Sequence, residues 1–447
     1  MSTVNVLESR GDATQRTCSA QGLMSLGGSI EEAGRTVQIR TYSSWAALEE
    51  IMPGWERLLR DNENLSIFST PEWLRSWWEA FSADRSLTVL ALSGAQGSLI
   101  GIAPLYFEHT KHPFFGQVKQ LRLVGDGSGD SDSLDLIVAP GEEGKCVAAL
   151  LRWITQQQNC GICAFNTLAG DSLVAQTLRV VLREKKWPFR ITLTPNSAIP
   201  LPSRWESYIE ELSPKFRRLI TRCRRKLESE YQVCFRRCES PREIPEMLEM
   251  LYRLHQKRWS SVGEPGTFRS AQRRDLYARM ARAFFERGWL ELWSLELNGG
   301  PVAAQMSFRY RNRVYVLQEG FDTDYSVYQV GHVLRAGTFE YFIRTGVNVY
   351  DFLGGTSPEK QRWGAEVGSY INIQFATPHS LASWCLALDK GASESKEWLR
   401  HRLPPIAWQV LHRIKLFLNR EDGKRPSKRA LISMPSAGEA VEGASPR

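Results

Sequence analysis

The chain has 447 residues, of which 42% are hydrophobic and 24% are charged. This length predicts two or three domains, and the composition excludes a largely disordered chain. No apolar run reaches about 18 residues and no apolar signal segment follows Met1, so a cytosolic protein is expected. The 57 basic and 49 acidic residues give a net charge of +8, which favours anionic partners without choosing among them.

The cysteines and histidines predict no metal site. Cys160 and Cys163 have the spacing of a redox or metal pair, but no second pair of this kind follows them. Cys163 lies in an apolar run, which favours a buried structural thiol. The seven histidines form no ligand cluster.

Residues 1–34 are rich in Gly, Ser, Thr and Glu and lack periodicity, so they are predicted to be disordered. The first half of the chain then alternates short strands with helices. A helix start is marked where Thr70 precedes Pro71. The predicted elements are a strand over 37–42, a helix over 44–59 that Pro53 should interrupt, a helix from Pro71, a hairpin over 87–107, a helix over 142–158 and a strand over 161–168.

An acidic, glycine-rich loop follows the first hairpin. It runs from Gly125 to Asp132 and looks like a phosphate-binding loop, but it contains three acids and no lysine. It also leads into a predicted strand over 134–138, whereas a dinucleotide fingerprint opens a helix. Asp130, Asp132 and Asp135 therefore either solvate a loop or line a cleft that receives a cation or an amine.

Two pairs of short stretches indicate an internal duplication. Residues 161–170 match residues 346–355 in register, and each follows a predicted helix that follows a hairpin. Residues 99–103 correspond in the same way to residues 301–305. Chance similarity is the alternative, but the shared order of elements favours two α/β domains of one type in tandem. Four prolines between 188 and 202 mark the expected linker.

A strongly basic helix is predicted after this linker. Ser213 should cap it, Pro214 fits its first turn, and seven basic side chains follow within thirteen positions. The apolar residues form one stripe, so the cations occupy the other faces. No acid is interleaved before Glu228, and the resulting repulsion favours an anionic partner, such as nucleic acid, over a merely solvated face.

The most informative stretch runs from Asn298 to Trp363. Gly331 lies near the start of a helix there, where backbone N–H groups can hold a phosphate or pyrophosphate. The alternative is that this glycine only lets the helix pack closely on the sheet. The predicted elements of the second half are a strand over 231–237, helices over 244–256 and 271–287, strands over 289–297, 302–310 and 314–320, a helix over 329–345 and a strand over 347–353.

The segment over 398–420 is basic and amphipathic and is interrupted by two prolines. It is expected either to lie on an anionic membrane surface or to pack against the core or a partner. Residues 421–447 are predicted to be a disordered tail.

The run from Tyr350 to Gly355, followed by Lys360 and Trp363, resembles the GNAT-type acetyltransferase domain of the BioF2-like group. That group includes CelD-like proteins of cellulose biosynthesis and is related to the Fem-type peptidyltransferases. The helix near Gly331, the basic helix and the Glu72–Trp78 segment resemble the group too, and the resemblance covers roughly residues 37–377. It implies an α/β fold of tandem GNAT-like domains, each a mixed, largely antiparallel sheet flanked by helices. The expected organisation is a disordered segment over 1–34, GNAT-like domains over 35–199 and 200–380, a basic amphipathic segment over 381–420 and a tail over 421–447.

The resemblance implies transfer of an acyl group from acyl-CoA, in particular acetyl-CoA, to an amine, without a metal. Gln329, Gly331 and His332 are the expected donor-binding residues, although their loop is one residue shorter than the R/Q-x-x-G-x-G/A loop of GNAT proteins. An amine-bearing sugar or another cell-envelope amine is the expected acceptor, in polysaccharide or cell-envelope biosynthesis. Aminoacyl transfer from tRNA and a non-catalytic role in exopolysaccharide assembly stay open. The expected location is the cytoplasm, with a possible membrane contact through 398–420.

Acyl transfer needs a neutral amine, a group that takes its proton and donors for the developing oxyanion. The resemblance aligns Lys360 with the lysine after the Gly-Gly turn of Fem-type enzymes, where it would stabilise the oxyanion or an acceptor phosphate. Glu319 and Asp351 are candidate proton acceptors, and a surface ion pair is the alternative for each candidate. The expected substrate-binding residues are Lys215, Arg217, Arg218, Arg222, Asp132, Asp135 and Trp363.

Overall fold

The computed structural model describes residues 36–112, 115–157 and 160–388. Its strands are β1 Gln38–Tyr42, β2 Ser86–Ser93, β3 Leu99–His112, β4 Gly116–Leu123, β5 Ile137–Val138, β6 Ile162–Leu168, β7 Phe189–Pro200, β8 Val233–Arg237, β9 Leu290–Leu297, β10 Gly300–Tyr310, β11 Arg313–Phe321, β12 Val349–Gly354 and β13 Glu366–Phe375. Its α-helices are α1 Met52–Asp61, α2 Pro71–Phe81, α3 Glu143–Gln156, α4 Leu173–Glu184, α5 Trp205–Glu211, α6 Pro214–Glu230, α7 Ile244–Ser260, α8 Ala271–Glu286, α9 Val330–Arg344 and α10 Pro358–Arg362.

The strands form one continuous sheet in which two similar halves meet. The order is β1-β2-β3-β4-β6-β13-β7-β12-β11-β10-β9-β8, and β5 pairs with β3. Each half is an antiparallel ladder that ends in one parallel pair, β4 with β6 and β11 with β12. The predicted mixed, largely antiparallel sheet is therefore confirmed.

The two central strands are exchanged between the halves. β7 follows the first half in sequence but pairs with β12 of the second, and β13 closes the second half but pairs with β6 of the first. β7 and β13 also pair with each other along ten residues. The linker predicted from prolines 188 to 202 is thus wrong, because most of this stretch is the central strand β7. Pro195 is tolerated there because it lies opposite Gly355, past the register shift between Asp351 and Gly354, where the ladder with β12 ends.

The duplication inferred from short matches is visible in the topology. β6 and β12 occupy equivalent places, each between a parallel neighbour and an exchanged antiparallel strand. The matched glycines before them, Gly161 and Gly346, both have left-handed φ angles, of 79° and 82°. β3 and β10, which carry the second matched pair of stretches, are the corresponding hairpin strands. The tandem arrangement is confirmed.

Helices of both halves share one hydrophobic core. The predicted aromatic face of α2 is buried, and Trp73 packs against Phe284 of α8 and Phe308 of β10, with ring centroids 6.2 Å and 6.1 Å apart. Thr70 caps α2 as expected, because its hydroxyl accepts the N–H of Trp73. This shared core fixes the position of the first half against the second and so defines the space between them.

The predictions for 1–34, 398–420 and 421–447 lie outside the described residues. The expected disorder and the expected membrane contact of these segments stay predictions. Within the described ranges, no helix has the length and apolar character needed to cross a membrane.

Candidate active site

The turn that follows β12 holds Lys360 in a cage of carbonyl groups. Ser357 caps α10, and its hydroxyl accepts the backbone N–H of Lys360 at 3.2 Å. The ammonium group of Lys360 then reaches back over the turn and donates hydrogen bonds to three carbonyl oxygens. These belong to Phe352 at 3.1 Å, Gly354 at 3.0 Å and Gly355 at 2.9 Å. All three ammonium protons are therefore bound by the backbone.

Burial lowers the pKa of Lys360 to about 8, because a charged amine loses hydration there. The carboxylates of Asp132, Asp351 and Glu319 lie near enough to oppose this shift, whereas Arg335 adds to it. Three of the acids singled out in the sequence thus surround the predicted lysine. A lysine with a pKa near 8 can change its charge close to neutral pH.

Asp351 is buried next to this lysine. Its Oδ2 accepts a hydrogen bond from Arg313 at 2.9 Å, and its Oδ1 accepts the N–H of Leu353 at 2.8 Å. Burial raises the pKa of Asp351 above its usual value, although Arg313 opposes the shift. A carboxylate with a raised pKa is better suited to accept a proton than an ordinary surface aspartate.

Glu319 is held by a buried arginine. Arg335 of α9 binds both carboxylate oxygens of Glu319, and its third nitrogen donates to Glu359 at 3.0 Å. Its guanidinium group also lies 5.2 Å from the ring centre of Phe352 and 5.5 Å from that of Trp363. Through Glu319 and Phe352, Arg335 contacts both β11 and β12 beyond the three residues over which these strands pair. Glu319 is therefore part of an ion-pair cluster that includes Arg335, and its role as a base stays a prediction.

The start of α9 is packed by aromatic side chains. Gln329 has a left-handed φ of 51°, and its side chain donates to the carbonyl of Ser326 at 2.7 Å. A Cβ atom at Gly331 would lie 3.1 Å from the ring of Phe321, so this glycine allows close packing. His332 is half-buried, and burial lowers its pKa. The three residues share one helix start, while their binding of a donor stays a prediction.

Asp132, at the end of the glycine-rich loop, and Asp135, three residues after it, are separated by the fold. Asp132 reaches the turn, where its Oδ2 accepts the N–H of Gly354 at 2.9 Å. Asp135 instead lies beside Ser172 and accepts the N–H of Leu136 at 2.8 Å, and burial raises its pKa to about 7. Only Asp132 therefore belongs to the lysine site.

The predicted basic helix forms as α6, with Ser213 as its cap. Lys215, Arg218 and Arg222 are exposed, and Arg217 is half-buried. Arg218 donates to the carbonyl of Pro214 at 3.1 Å, but none of the four forms an ion pair with the described residues. Their expected binding of an anion stays a prediction, and the free cations are compatible with it.

Trp363 has a different place from the one expected. Its side chain is completely buried and stacks on Phe339, with ring centroids 5.2 Å apart and an angle of 5° between the planes. The edge of Phe216 from α6 packs against it at 5.0 Å. A substrate cannot reach this ring in the described conformation, so Trp363 serves the core that supports the site.

A cavity of about 850 Å³ opens where the two halves meet. Its floor comes from central strands and includes Asp351, Asn196 and Tyr370. Helices α1 and α2 form the opposite wall, and the β10–β11 turn closes one side. This volume falls in the range of small-molecule sites, and Asp351 connects the cavity to the lysine cage.

Residues 214–361 match the family model described as an acetyltransferase (GNAT) domain. These residues form a GNAT-type domain, and the chain as a whole has a fold like that of FemX. Among solved structures it is similar to FemX, with a TM-score of 0.52 and 10% identity over 75% of this chain and 96% of the other. It is also similar to a conserved protein of unknown function from Bacteroides thetaiotaomicron, with a TM-score of 0.48 and 15% identity over 76% of this chain and 100% of the other. For a tandem GNAT protein from the clavulanic acid biosynthesis pathway, the TM-score is 0.43 and the identity 12% over 77% of this chain and 100% of the other. No curated protein matches the chain in sequence.

Four residues around the lysine cage and the cavity were not singled out from the sequence. Arg313 lies in the predicted hairpin link, where a polar residue is expected even without a functional role. Arg335 lies among the apolar positions of α9, and a buried arginine there gives no periodic signal. Tyr370 and Asn196 come from the two exchanged strands, neither of which was predicted. Their positions depend on contacts between segments far apart in sequence, which a local pattern does not carry.

Proposed function

We propose that the protein is an N-acyltransferase that moves an acyl group from acyl-CoA to an amine bound in the central cavity. The observation that carries the proposal is that Asp351 borders the cavity and has Lys360 close behind it. One group can donate hydrogen bonds to a developing oxyanion, and the other can accept a proton. An amine-bearing sugar or another cell-envelope amine is the proposed acceptor, as the family resemblance implies.

Lys360 would stabilise the tetrahedral oxyanion. In the described conformation its three protons are bound to carbonyl groups, so one of these bonds must be released when the oxyanion forms. The ammonium form is the useful one, because only it carries the positive charge. We therefore expect kcat to fall as the pH rises through about 8, the pKa of Lys360.

Asp351 would take the proton of the attacking amine, directly or through one water molecule. The amine adds to the thioester carbonyl and gives the tetrahedral oxyanion, and its proton passes to Asp351. The oxyanion then reforms the carbonyl as the C–S bond breaks, and CoA leaves as its thiolate. Arg313 keeps Asp351 oriented by the hydrogen bond at 2.9 Å. Because Asp351 borders the cavity, the amine can approach it without entering the packed ion-pair cluster of Arg335.

The test measures release of free CoA thiol from acetyl-CoA in the presence of D-glucosamine or a lysine-containing peptide. Lys360→Met and Asp351→Asn should each lower kcat by about 10²- to 10³-fold. Glu359→Gln is the comparison, since this half-exposed carboxylate lies on the far side of Arg335. A wild-type protein that binds no acetyl-CoA by calorimetry and releases no thiol would overturn the acyl-CoA proposal. If it also accepts no aminoacyl-tRNA, the non-catalytic role in exopolysaccharide assembly is favoured.

A second candidate donor is aminoacyl-tRNA, and the exposed face of α6 favours it. Lys215, Arg218 and Arg222 form no ion pair with the described residues, and unpaired cations on one helix suit a polyanion. Transfer from a charged tRNA to the same amines, with affinity falling steeply as salt rises, would select this donor. Lack of any tRNA binding at low salt would exclude it.

A further inference from the structure

A side chain from the first half of the chain reaches the lysine cage in the second half. Asp132 follows the glycine-rich loop, and its Oδ2 accepts the N–H of Gly354 at 2.9 Å. The carbonyl groups of Gly354 and Gly355 in turn accept the bonds of Lys360 at 3.0 Å and 2.9 Å. One series of hydrogen bonds thus runs from Asp132 through the turn to the ammonium group.

The turn between them has a backbone that needs support. Leu353 has a φ of 61°, in the left-handed region that ordinary side chains disfavour. Gly355 has a φ of 87°, which suits only glycine well. Strand β7 holds the far side of the turn, since the carbonyl of Pro195 accepts the N–H of Gly355 and the hydroxyl of Ser197 donates to its carbonyl. Asp132 holds the near side.

The carboxylates that face Lys360 come from three different elements of the fold. Glu319 of β11 is bound by Arg335 of α9, and Asp351 of β12 is bound by Arg313 of β11. Each of these carboxylates therefore has an arginine beside it. Asp132 comes from a loop of the other half and bonds the very turn that carries the lysine's acceptors.

We propose that Asp132 is a positioning residue for Lys360: it fixes the Gly354–Gly355 turn and places a negative charge beside the ammonium group. The inference rests on the proposed function, in which Lys360 is the oxyanion donor. It means that the site in the second half is complete only with the loop of the first half in place. This gives the glycine-rich loop a task that does not require it to bind phosphate.

The test follows the titration of Lys360 by NMR in protein with 13C-labelled lysine. Lys360→Arg identifies the signal. Asp132→Asn keeps an oxygen that can accept the Gly354 N–H but removes the charge, and the Lys360 midpoint should fall by about one pH unit. Asp132→Ala also removes the acceptor, so the Gly354 amide should in addition exchange with solvent about tenfold faster or more.

Asp135→Asn is the matched control, because Asp135 lies near Asp132 in sequence but bonds elsewhere. It should leave the Lys360 midpoint unchanged. An unchanged midpoint in Asp132→Asn, or an equal shift in Asp135→Asn, would overturn the inference. The titration needs no substrate, so failure of acyl transfer would refute the proposed function while this measurement still decided the role of Asp132.

Discussion

Replacing Lys360 by methionine should change how the stability of the protein depends on pH. Methionine has nearly the same length and carries no charge, so the main loss is a buried ammonium group and its three hydrogen bonds. Burial lowers the pKa of Lys360 from 10.5 to about 8 in the folded protein. The unfolded chain, by contrast, exposes this lysine to water and restores its ordinary pKa.

The sign follows from the proton count. Between the two pKa values the unfolded chain binds more protons than the folded one, so the free energy of unfolding rises with pH. The stability that Lys360 contributes is fully present above pH 10.5 and is lost as the pH falls through 8. For this shift the gain between pH 7 and pH 10 is about 2.5 kcal/mol. Lys360→Met should lack this gain.

The assay is urea unfolding of both proteins at several pH values between 7 and 10, and the quantity of interest is their difference in unfolding free energy. Other lysines and tyrosines titrate in both proteins and cancel in this difference. Lys257→Met is the control: hydrogen bonds to Asp322 and Asp324 raise the pKa of that exposed lysine above 10.5, so its contribution is lost only above pH 10.5 and its difference should be nearly flat between pH 7 and 10. The unfolding free energy of the wild type minus that of Lys360→Met should rise with pH. A difference that stays flat or falls refutes the reasoning.

Two further predictions concern packing, one at Arg335 and one at the matched glycines. Arg335→Met should lower the unfolding free energy by about 3–5 kcal/mol, because it leaves the carboxylate of Glu319 without its buried partner, and Glu319→Gln in the same protein should restore part of the loss. Gly161→Ala should destabilise far more than Gly346→Ala: both positions need a left-handed φ, but only at Gly161 would a Cβ atom collide with the backbone carbonyl of Lys119. Thermal unfolding of the two variants measures their loss of stability. Equal losses would show that the left-handed φ alone, and not the collision with Lys119, destabilises the protein.

Strands and helices with a clear period were predictable. The hairpin of β10 and β11, helix α9 and strand β12 lie within a few residues of their predicted bounds, since alternation, a three-to-four spacing and a terminal glycine marked them. The repeat was readable because equivalent strands kept similar sequences. These signals are local, and local signals survive in a single sequence.

The centre of the sheet was not predictable in the same way. β7 contains Pro195 and ends at Pro200, and proline normally argues against a central strand. The strand forms because its partners, β12 and β13, arrive from positions more than a hundred residues away. The local sequence of β7 does not predict its pairing with these strands. Tyr370 and Asn196 reach the cavity only as a result of this pairing.

For the site, the sequence supplied chemistry more readily than geometry. Lys360, Asp351 and Asp132 were singled out, and the fold brings them together around one turn. Asp135 was paired with Asp132 because the two are close in sequence, yet the fold sends it to Ser172. Trp363 shows the same limit, since an aromatic residue beside a candidate lysine suits a binding wall and a core equally well.

The two halves close their parallel strand pairs in different ways, and this places the chemistry between them. In the first half Asn166 of β6 donates to Asp126 of the glycine-rich loop at 2.7 Å, so the loop fills the space beyond the β4–β6 pairing. In the second half Arg335 and the ring of Trp363 occupy the corresponding space. Neither packed space offers what the central cavity has, a polar volume bordered by Asp351. The exchange of β7 and β13 creates that cavity floor, so the cavity proposed to bind the acceptor lies where the two halves meet.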